Sequence, residues 1–279
     1  MKFAKFWADL EVKVDKDVFG TDTMSVWGAS NQNIEAAVVS ANERAERLKD
    51  ITQHGFDDFA EYEYWNGFLR EEVVEEILDS VGSIVAVITR NNYGAMVINS
   101  ERVFFGDIDV RPPGMIDRLI SLFGKPLKDK AYYLISIRAF QNSNPDFAFR
   151  VYETFAGLRL VVTNKTLSHD SNEAQQIFRG LDVDPLYARL CHSQACFRAR
   201  LTPKPWRIAM PRPASRFPRA NSEDLNEFSG WLKQYTQAST NYSVVKLIEN
   251  IGKQRLNDDV ARVLDAHDKI ALSKNDSLA

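Results

Sequence analysis

The run Val103-Phe104-Phe105-Gly106-Asp107-Ile108-Asp109-Val110 reads as a β-strand, stopped by Pro112-Pro113-Gly114. Strand side chains alternate, so Phe105, Asp107 and Asp109 share one face while Phe104, Ile108 and Val110 share the other. Downstream, Ile116, Leu119, Ile120 and Phe123 recur at helical spacing to near Gly124, and Ala131 to Gln141 forms a second helical piece. Phe147 to Phe155 and Leu158 to Thr163 read as strands joined in a tight hairpin at Ala156-Gly157. Asp170 with Glu173 three residues on resembles a capping box, and Ala174, Ile177, Phe178 and Leu181 give that helix its apolar face. A strand from Ala195 to Leu201 follows. The order β-α-β-β-α-β predicts an α+β fold with a ferredoxin-like, RNA-recognition-like core, its first strand central between the third and the fourth.

Helical additions are expected on both sides of this core. Lys2 to Val14 reads as a strand, and Ser30 stands as the N-cap of an Ala- and Glu-rich helix running to about Leu48. Leu69, Val73, Val74, Ile77 and Leu78 form one stripe, which predicts a second helix from Leu69 to Asp79. The period then changes: Ser83 to Thr89 and Ala95 to Ile98 flank Asn91-Asn92-Tyr93-Gly94, a hairpin signal. After Pro203 the chain is Pro-rich up to Pro218. It turns helical with Leu225, Phe228, Leu232 and Tyr235 in register, and again from Val244 to Leu264, with a frayed end from Asp276. Three regions result: 1–102 as an N-terminal α/β region, 103–202 as the core, and 203–279 as a Pro/Arg-rich arm with C-terminal helices.

The 279 residues are 44% hydrophobic and 26% charged, a globular balance that excludes disorder of the whole chain. Net charge is −3, but its distribution is uneven. Glu43 to Asp79 is acidic, whereas Pro185 to Ser222 holds no Asp or Glu and carries Arg189, Arg198, Arg200, Lys204, Arg207, Arg212, Arg216 and Arg219. One basic segment in a mildly acidic chain can present a local patch to a polyanion. No apolar run approaches the length of a membrane span, and the charged start MKFAKFWADLEVKV lacks the core of a signal peptide. A cytoplasmic protein with no membrane partner is expected.

Two carboxylates two residues apart on a strand lie about 6–7 Å apart at the backbone, close enough to converge on one divalent cation or straddle two. Mg²⁺ takes one or two carboxylates plus substrate phosphates, and Mn²⁺ suits the same oxygen donors. In the predicted strand order the apolar residues Leu158, Leu160, Val162, Phe197, Ala199 and Leu201 point to the helices. That leaves Arg159, Arg198 and Arg200 on the face of the aspartates, with Arg150, a further phosphate-binding candidate, Tyr152 and Thr154 on the remaining strand. A metal or nucleotide site is one reading of this face. An ion-pair network in which the charges satisfy one another is the other, and Arg is the usual residue for it. Glu153 alternates with Phe149 and Val151 toward the helices, so it is a poor third ligand.

The sequence as a whole resembles an uncharacterised bacterial protein family. The likeness rests on Arg90 to Gly94, Phe104 to Asp109, Gly157 to Leu160, Asp184-Pro185-Leu186-Tyr187 and Cys196 to Arg207, and brings no activity with it. The central unit distantly resembles the catalytic core of archaeo-eukaryotic primases, an RNA-recognition-like unit with a D-h-D/E motif on its first strand. Asp107-Ile108-Asp109 matches that motif. Arg159 stands where that family has a nucleotide-contacting His, and its third acidic position has no clear counterpart here. The resemblance implies a divalent-metal-dependent, nucleotidyltransferase-like enzyme that handles nucleotides or nucleic acid. Asp107 and Asp109 would hold Mg²⁺ or Mn²⁺, Arg159 and Arg200 would clamp phosphate, and Arg198 and Lys204 would lie on the nucleic-acid path. A non-catalytic module binding nucleic acid or protein on the same scaffold is the alternative. A third carboxylate facing the pair would favour the enzyme, and complete Asp–Arg pairing the module.

Cys191, His192 and Cys196, with His169, lack the paired knuckles of zinc motifs, so both cysteines are expected as buried small residues and zinc is not expected. His54 and His267 sit among polar neighbours and are expected to be exposed. Along Cys196 to Arg219, Phe197, Trp206 and Phe217 alternate with basic residues. In one reading Arg207, Arg212 and their neighbours meet phosphates while the aromatics stack on bases. In the other the segment is an arm wrapped on the core, its aromatics buried and its arginines paired with the acidic N-terminal helices. This second reading is preferred for Trp206, the first for the arginines past Arg207.

Overall fold

The computed structural model describes residues 1–16, 21–54, 68–110, 114, 126–219, 221–253, 255–272 and 277–279. The expected helical stripe Ile116, Leu119, Ile120 and Phe123 lies outside them, as do Pro112 and Pro113. The described chain is α+β with antiparallel strand pairs, and it divides into two compact units. One comprises Lys2–Val73 and Ala214–Phe228; the other comprises Met1, Val74–Pro213 and Ser229–Ala279. The borders expected at 102/103 and 202/203 both fall inside the second.

In the smaller unit, β1 (Phe6–Lys13) and β2 (Thr23–Ser30) form an antiparallel hairpin from Phe6↔Ser30 to Lys13↔Thr23. Helix α1 (Ile34–His54) packs on it through a small-residue face of Ala37, Ala41 and Ala45, with Leu48 beyond. The approach is close enough that a Cβ on Gly28 would lie 2.1 Å from the Ala37 carbonyl oxygen. Ser30 closes β2, so the cap falls to Asn33, whose side chain accepts from the Ala36 N–H at 2.8 Å.

The larger unit contains two four-stranded sheets. The first has the order β3 (Glu72–Leu78), β4 (Ile84–Arg90), β5 (Met96–Ser100), β9 (Phe197–Arg200). β3 corrects the helix expected over Leu69 to Asp79. Val73, Val74 and Ile77 are β-branched, and Asp79 begins a tight turn through Gly82 at φ +86°, its N–H bonded to the Ser83 carbonyl at 2.8 Å. Hairpin pairing thus overrides a stripe that also fits a helix. The expected hairpin at Asn91–Gly94 joins β4 to β5, with Gly94 at φ +87°.

The second sheet has the order β10 (Val245–Ile251), β7 (Phe149–Thr154), β8 (Gly157–Val162), β6 (Phe105–Asp109). One of its faces carries Phe149, Val151, Leu158, Leu160 and Ile108 and is covered by α2 (Lys130–Ser143) and α3 (Asn172–Gly180). Phe140 of α2 lies 6.1 Å from Phe149, and Lys130 meets Glu153 at 2.7 Å, so Glu153 faces the helices as its alternation predicts. The cap of α3 is Ser171, one residue after Asp170.

Three strands keep the expected spatial order β6-β8-β7, but the fourth does not join them. The expectation that β6 lies between the strands bearing Arg159 and Arg198 is corrected: β6 is a sheet edge, and β9 pairs with β5 from Val97↔Arg200 to Ser100↔Phe197. A side chain from α4 (Pro185–Gln194) stands between β6 and β9: the Tyr187 hydroxyl accepts from the Arg198 N–H at 3.2 Å and donates to the Phe105 carbonyl at 2.8 Å, bridging the two backbones. The chain end from residue 277 is not frayed, since Ala279 is buried and donates to the Ser243 carbonyl at 3.0 Å.

Candidate functional site

The ladder between β6 and β8 sets Asp107 opposite Arg159 and Asp109 opposite Gly157. Gly157 is required there, because a Cβ would sit 1.9 Å from the Ile108 carbonyl oxygen. Arg159 is 1% exposed and grips Asp107 with two parallel bonds, Nε to Oδ1 at 2.9 Å and Nη2 to Oδ2 at 3.2 Å. Its Nη1 donates to the Arg200 carbonyl at 2.8 Å and lies 3.3 Å from His267 Nε2.

The face bearing the aspartates is covered. Beyond α5 (Ser222–Ser239) in the chain, helix α6 (Asp258–Ala271) lies over it, and His267, expected to be exposed, is fully buried 5.5 Å from the Phe105 ring. His267 Nδ1 donates to Asp268 Oδ1 at 2.7 Å, which also accepts from the Tyr152 hydroxyl at 2.6 Å. Burial drives the Tyr152 hydroxyl pKa up, and Asp268 beside it adds to the rise. Arg150 reaches Asp268 Oδ2 at 3.0 Å and Asn250 at 3.2 Å, so this expected phosphate ligand belongs to the same network. Arg198 holds the Gln194 side chain at 2.8 Å. Asp107, Arg159, Arg150 and Asp268 thus follow the ion-pair reading of this face.

With both Asp107 oxygens held by Arg159, the residues do not fit a cation shared by Asp107 and Asp109. Among the described residues no group of three or more His, Cys, Asp or Glu side chains could hold a metal ion. Asp109 is exposed at the end of β6. Partial desolvation pushes its carboxyl up from the usual range, and the charges of Asp184 and Asp107 push it further.

Opposite Asp109 the charge changes sign. Burial pushes the Arg200 guanidinium down to about 10, and the neighbouring Arg159 adds to that fall. Lys204 is lowered by burial and by Arg200 and Arg207, and Arg207 is lowered by burial. Among the described residues none of these three has an Asp or Glu side chain at ion-pair distance. Arg200 Nη1 reaches only the main-chain oxygens of Thr202 at 3.3 Å and Ala279 at 3.4 Å. The Arg207 guanidinium lies 4.1 Å from the Phe155 ring centroid, and Arg212 lies 4.8 Å from that of Trp206. Trp206 is 46% exposed, which corrects its expected burial as part of a wrapped arm. Arg207 and Arg212 belong to the larger unit; Arg216 and Arg219 belong to the smaller.

Cys191 and Cys196 are free and buried, and burial pushes the Cys191 thiol up to about 12, so it is no nucleophile at neutral pH. Sequence reasoning missed His267, Asp268 and Asp184. The Asp184-Pro185 pair did signal a helix start, and Asp184 caps α4 while its N–H bonds the Asp107 carbonyl at 3.2 Å. Comparison with family models, with curated proteins and with solved structures finds no match to this chain.

Proposed function

We propose that this chain binds the phosphates of a nucleotide or nucleic acid on the face formed by Arg200, Lys204 and Arg207. One observation carries the reading: three basic side chains are held together and partly desolvated, with no Asp or Glu side chain at ion-pair distance. Cations that only stabilise a fold are paired, as Arg159 and Arg150 are here. Phosphate oxygens would supply the missing charge and accept from the guanidinium and ammonium donors. The D-h-D resemblance and the β6-β8-β7 order support a primase-like, ferredoxin-like ancestry for the scaffold, and a cytoplasmic location suits such a ligand. The chelation of Asp107 by Arg159 favours binding over catalysis at the aspartate pair.

Such binding must weaken with salt, because each neutralised phosphate releases a counterion. Wild-type protein is expected to bind single-stranded DNA or RNA at low salt. Lys204→Ala with Arg207→Ala is expected to reduce the slope of log affinity against log salt by about 1.4, at about 0.7 per lost phosphate contact on a single strand. Wild-type protein that ignores both polymers and ATP at low salt would remove the proposal.

A second reading rests on Asp109. Partial desolvation raises its carboxyl and repulsion from Asp184 and Asp107 adds to the rise; a divalent cation on Asp109 would relieve that repulsion while sharing its other positions with ligand phosphates. On this reading the chain is a metal-dependent, nucleotidyltransferase-like enzyme. Mn²⁺ is then expected to raise the thermal midpoint of the wild type by mass action and to leave Asp109→Asn unmoved. An equal rise in both places the ion elsewhere; no rise in the wild type ends this reading.

A further inference from the structure

We infer that Trp206 is the base-recognition residue of this site, and that its ligand joins a nucleobase to phosphate. The inference rests on the phosphate-binding reading above and names what that site selects.

Pro205–Ile208 forms a single 3₁₀ turn, in which residues three apart share a face. Pro205 and Ile208 are both buried, Ile208 in a cluster with Tyr235 and Ala279. The Tyr235 hydroxyl donates to the Pro203 carbonyl at 2.5 Å, fixing the segment just before the turn. With positions 205 and 208 turned inward, Trp206 and Arg207 face outward. The exposure of Trp206 is therefore set by the anchoring of its neighbours and not by looseness of the segment.

The surroundings of the indole point to its ligand. Tyr93 meets it edge-on at 5.2 Å between ring centroids. Lys204 Nζ stands over the indole ring, 5.5 Å from its centroid, and the Arg212 guanidinium stands over it at 4.8 Å, so a stacking base would share the ring with these cations. Lys204 is shared with the unpaired basic group, so the flat apolar surface and the phosphate donors adjoin. A purely aliphatic ligand would leave the indole face and its flanking cations unused. A free phosphate would need the cations alone. A base carried on a phosphate uses both, stacking on the ring while its phosphate takes Lys204, Arg207 or Arg200. Mononucleotides and single strands share this chemistry.

The experiment compares an eight-nucleotide oligothymidylate, an abasic oligomer with the same number of phosphates, and ATP. Against wild-type protein the oligothymidylate is expected to bind about tenfold tighter than the abasic oligomer, the contribution of one stacked base. Trp206→Ala should abolish that preference while leaving abasic binding within twofold, and Trp206→Phe should keep most of it. Salt-dependent binding without a preference for bases in the wild type overturns the inference and leaves the phosphate reading standing. A preference unchanged in Trp206→Ala also overturns it. Absence of binding to every ligand overturns both. ATP bound with the same dependence on Trp206 identifies a mononucleotide site; preference confined to the oligomer identifies a single strand.

Discussion

Asp107→Ala is expected to lower the unfolding free energy by about 3–5 kcal/mol, the cost of removing one partner from a buried ion pair. The size follows from the asymmetry of the pair. The Arg159 side chain is 2% exposed and that of Asp107 33%. Removal of Asp107 therefore strands a guanidinium that water cannot reach, and its pKa is too high for it to shed the charge. Asp107→Asn keeps a side chain of the same shape and one acceptor, and should fall between wild type and Asp107→Ala. Arg159→Met removes the buried charge, so adding it to Asp107→Ala should restore part of the loss, as replacement of whole buried pairs by apolar side chains often does. Urea denaturation at neutral pH reads all four proteins, with the midpoint falling at constant m-value. Asp107→Ala within 1 kcal/mol of wild type would show that the guanidinium does not depend on this carboxylate.

The alternation that places Asp107 beside Arg159 was legible because a strand has a fixed period, and β6, β7 and β8 are neighbours in sequence. The same holds for the Asn91–Gly94 hairpin, where turn chemistry marks the bend, and for the apolar stripe of α3, although its cap is Ser171 and not the Asp170 of the apparent capping box. What could not be read is what covers each element. The stripe Leu69, Val73, Val74, Ile77, Leu78 satisfies a helical period, yet strand pairing with β4 fixes the segment as β3. The strand Phe197–Arg200 has the right alternation to join β6, but nothing local says that β5 will take it first and Tyr187 will bridge the gap.

The same limit explains the site. His267 looked exposed because its sequence neighbours Asp265, Asp268 and Lys269 are charged. Asp268 instead turns inward to accept from His267 and Tyr152, and α6 packs across the sheet through Val260, Val263 and Leu264. A helix contributed from more than a hundred residues away completes the ion-pair network around Arg159, and only tertiary structure reveals it. Trp206 misled in the opposite direction. As part of an arm wrapped on the core Trp206 was expected to be buried, whereas Pro205 and Ile208 are the anchors and the indole turns outward.

Stability is expected to fall as the pH drops below about 6.5, the ordinary histidine value, and His267→Gln is expected to remove much of that fall. With Nδ1–H given to Asp268 and Nε2 facing an Arg159 N–H, the buried ring has no place for a second proton. Burial lowers its pKa, Asp268 opposes this, and Arg159 adds to the lowering. The unfolded chain therefore takes up a proton on His267 before the folded one does. The neutral ring contributes its full stability above the unfolded value, and the contribution shrinks as the pH falls toward the folded value. One proton bound only by the unfolded state gives a slope of at most about 1.4 kcal/mol per pH unit. Asp268 is also lowered, but its share is lost only as the pH falls below the ordinary carboxylate range. Asp109, raised in the fold, works in the opposite sense, since it takes up a proton in the folded state first and returns stability on acidification. Urea midpoints between pH 8 and pH 5 separate these contributions, because in the unfolded chain His267 takes up its proton above the carboxylate range. Gln keeps a hydrogen-bonding amide at the position and cannot titrate, so its curve should be flatter than the wild type from pH 7 to 5 even if it starts lower. Parallel curves for the two proteins would mean that the proton taken up on acid unfolding belongs to another group.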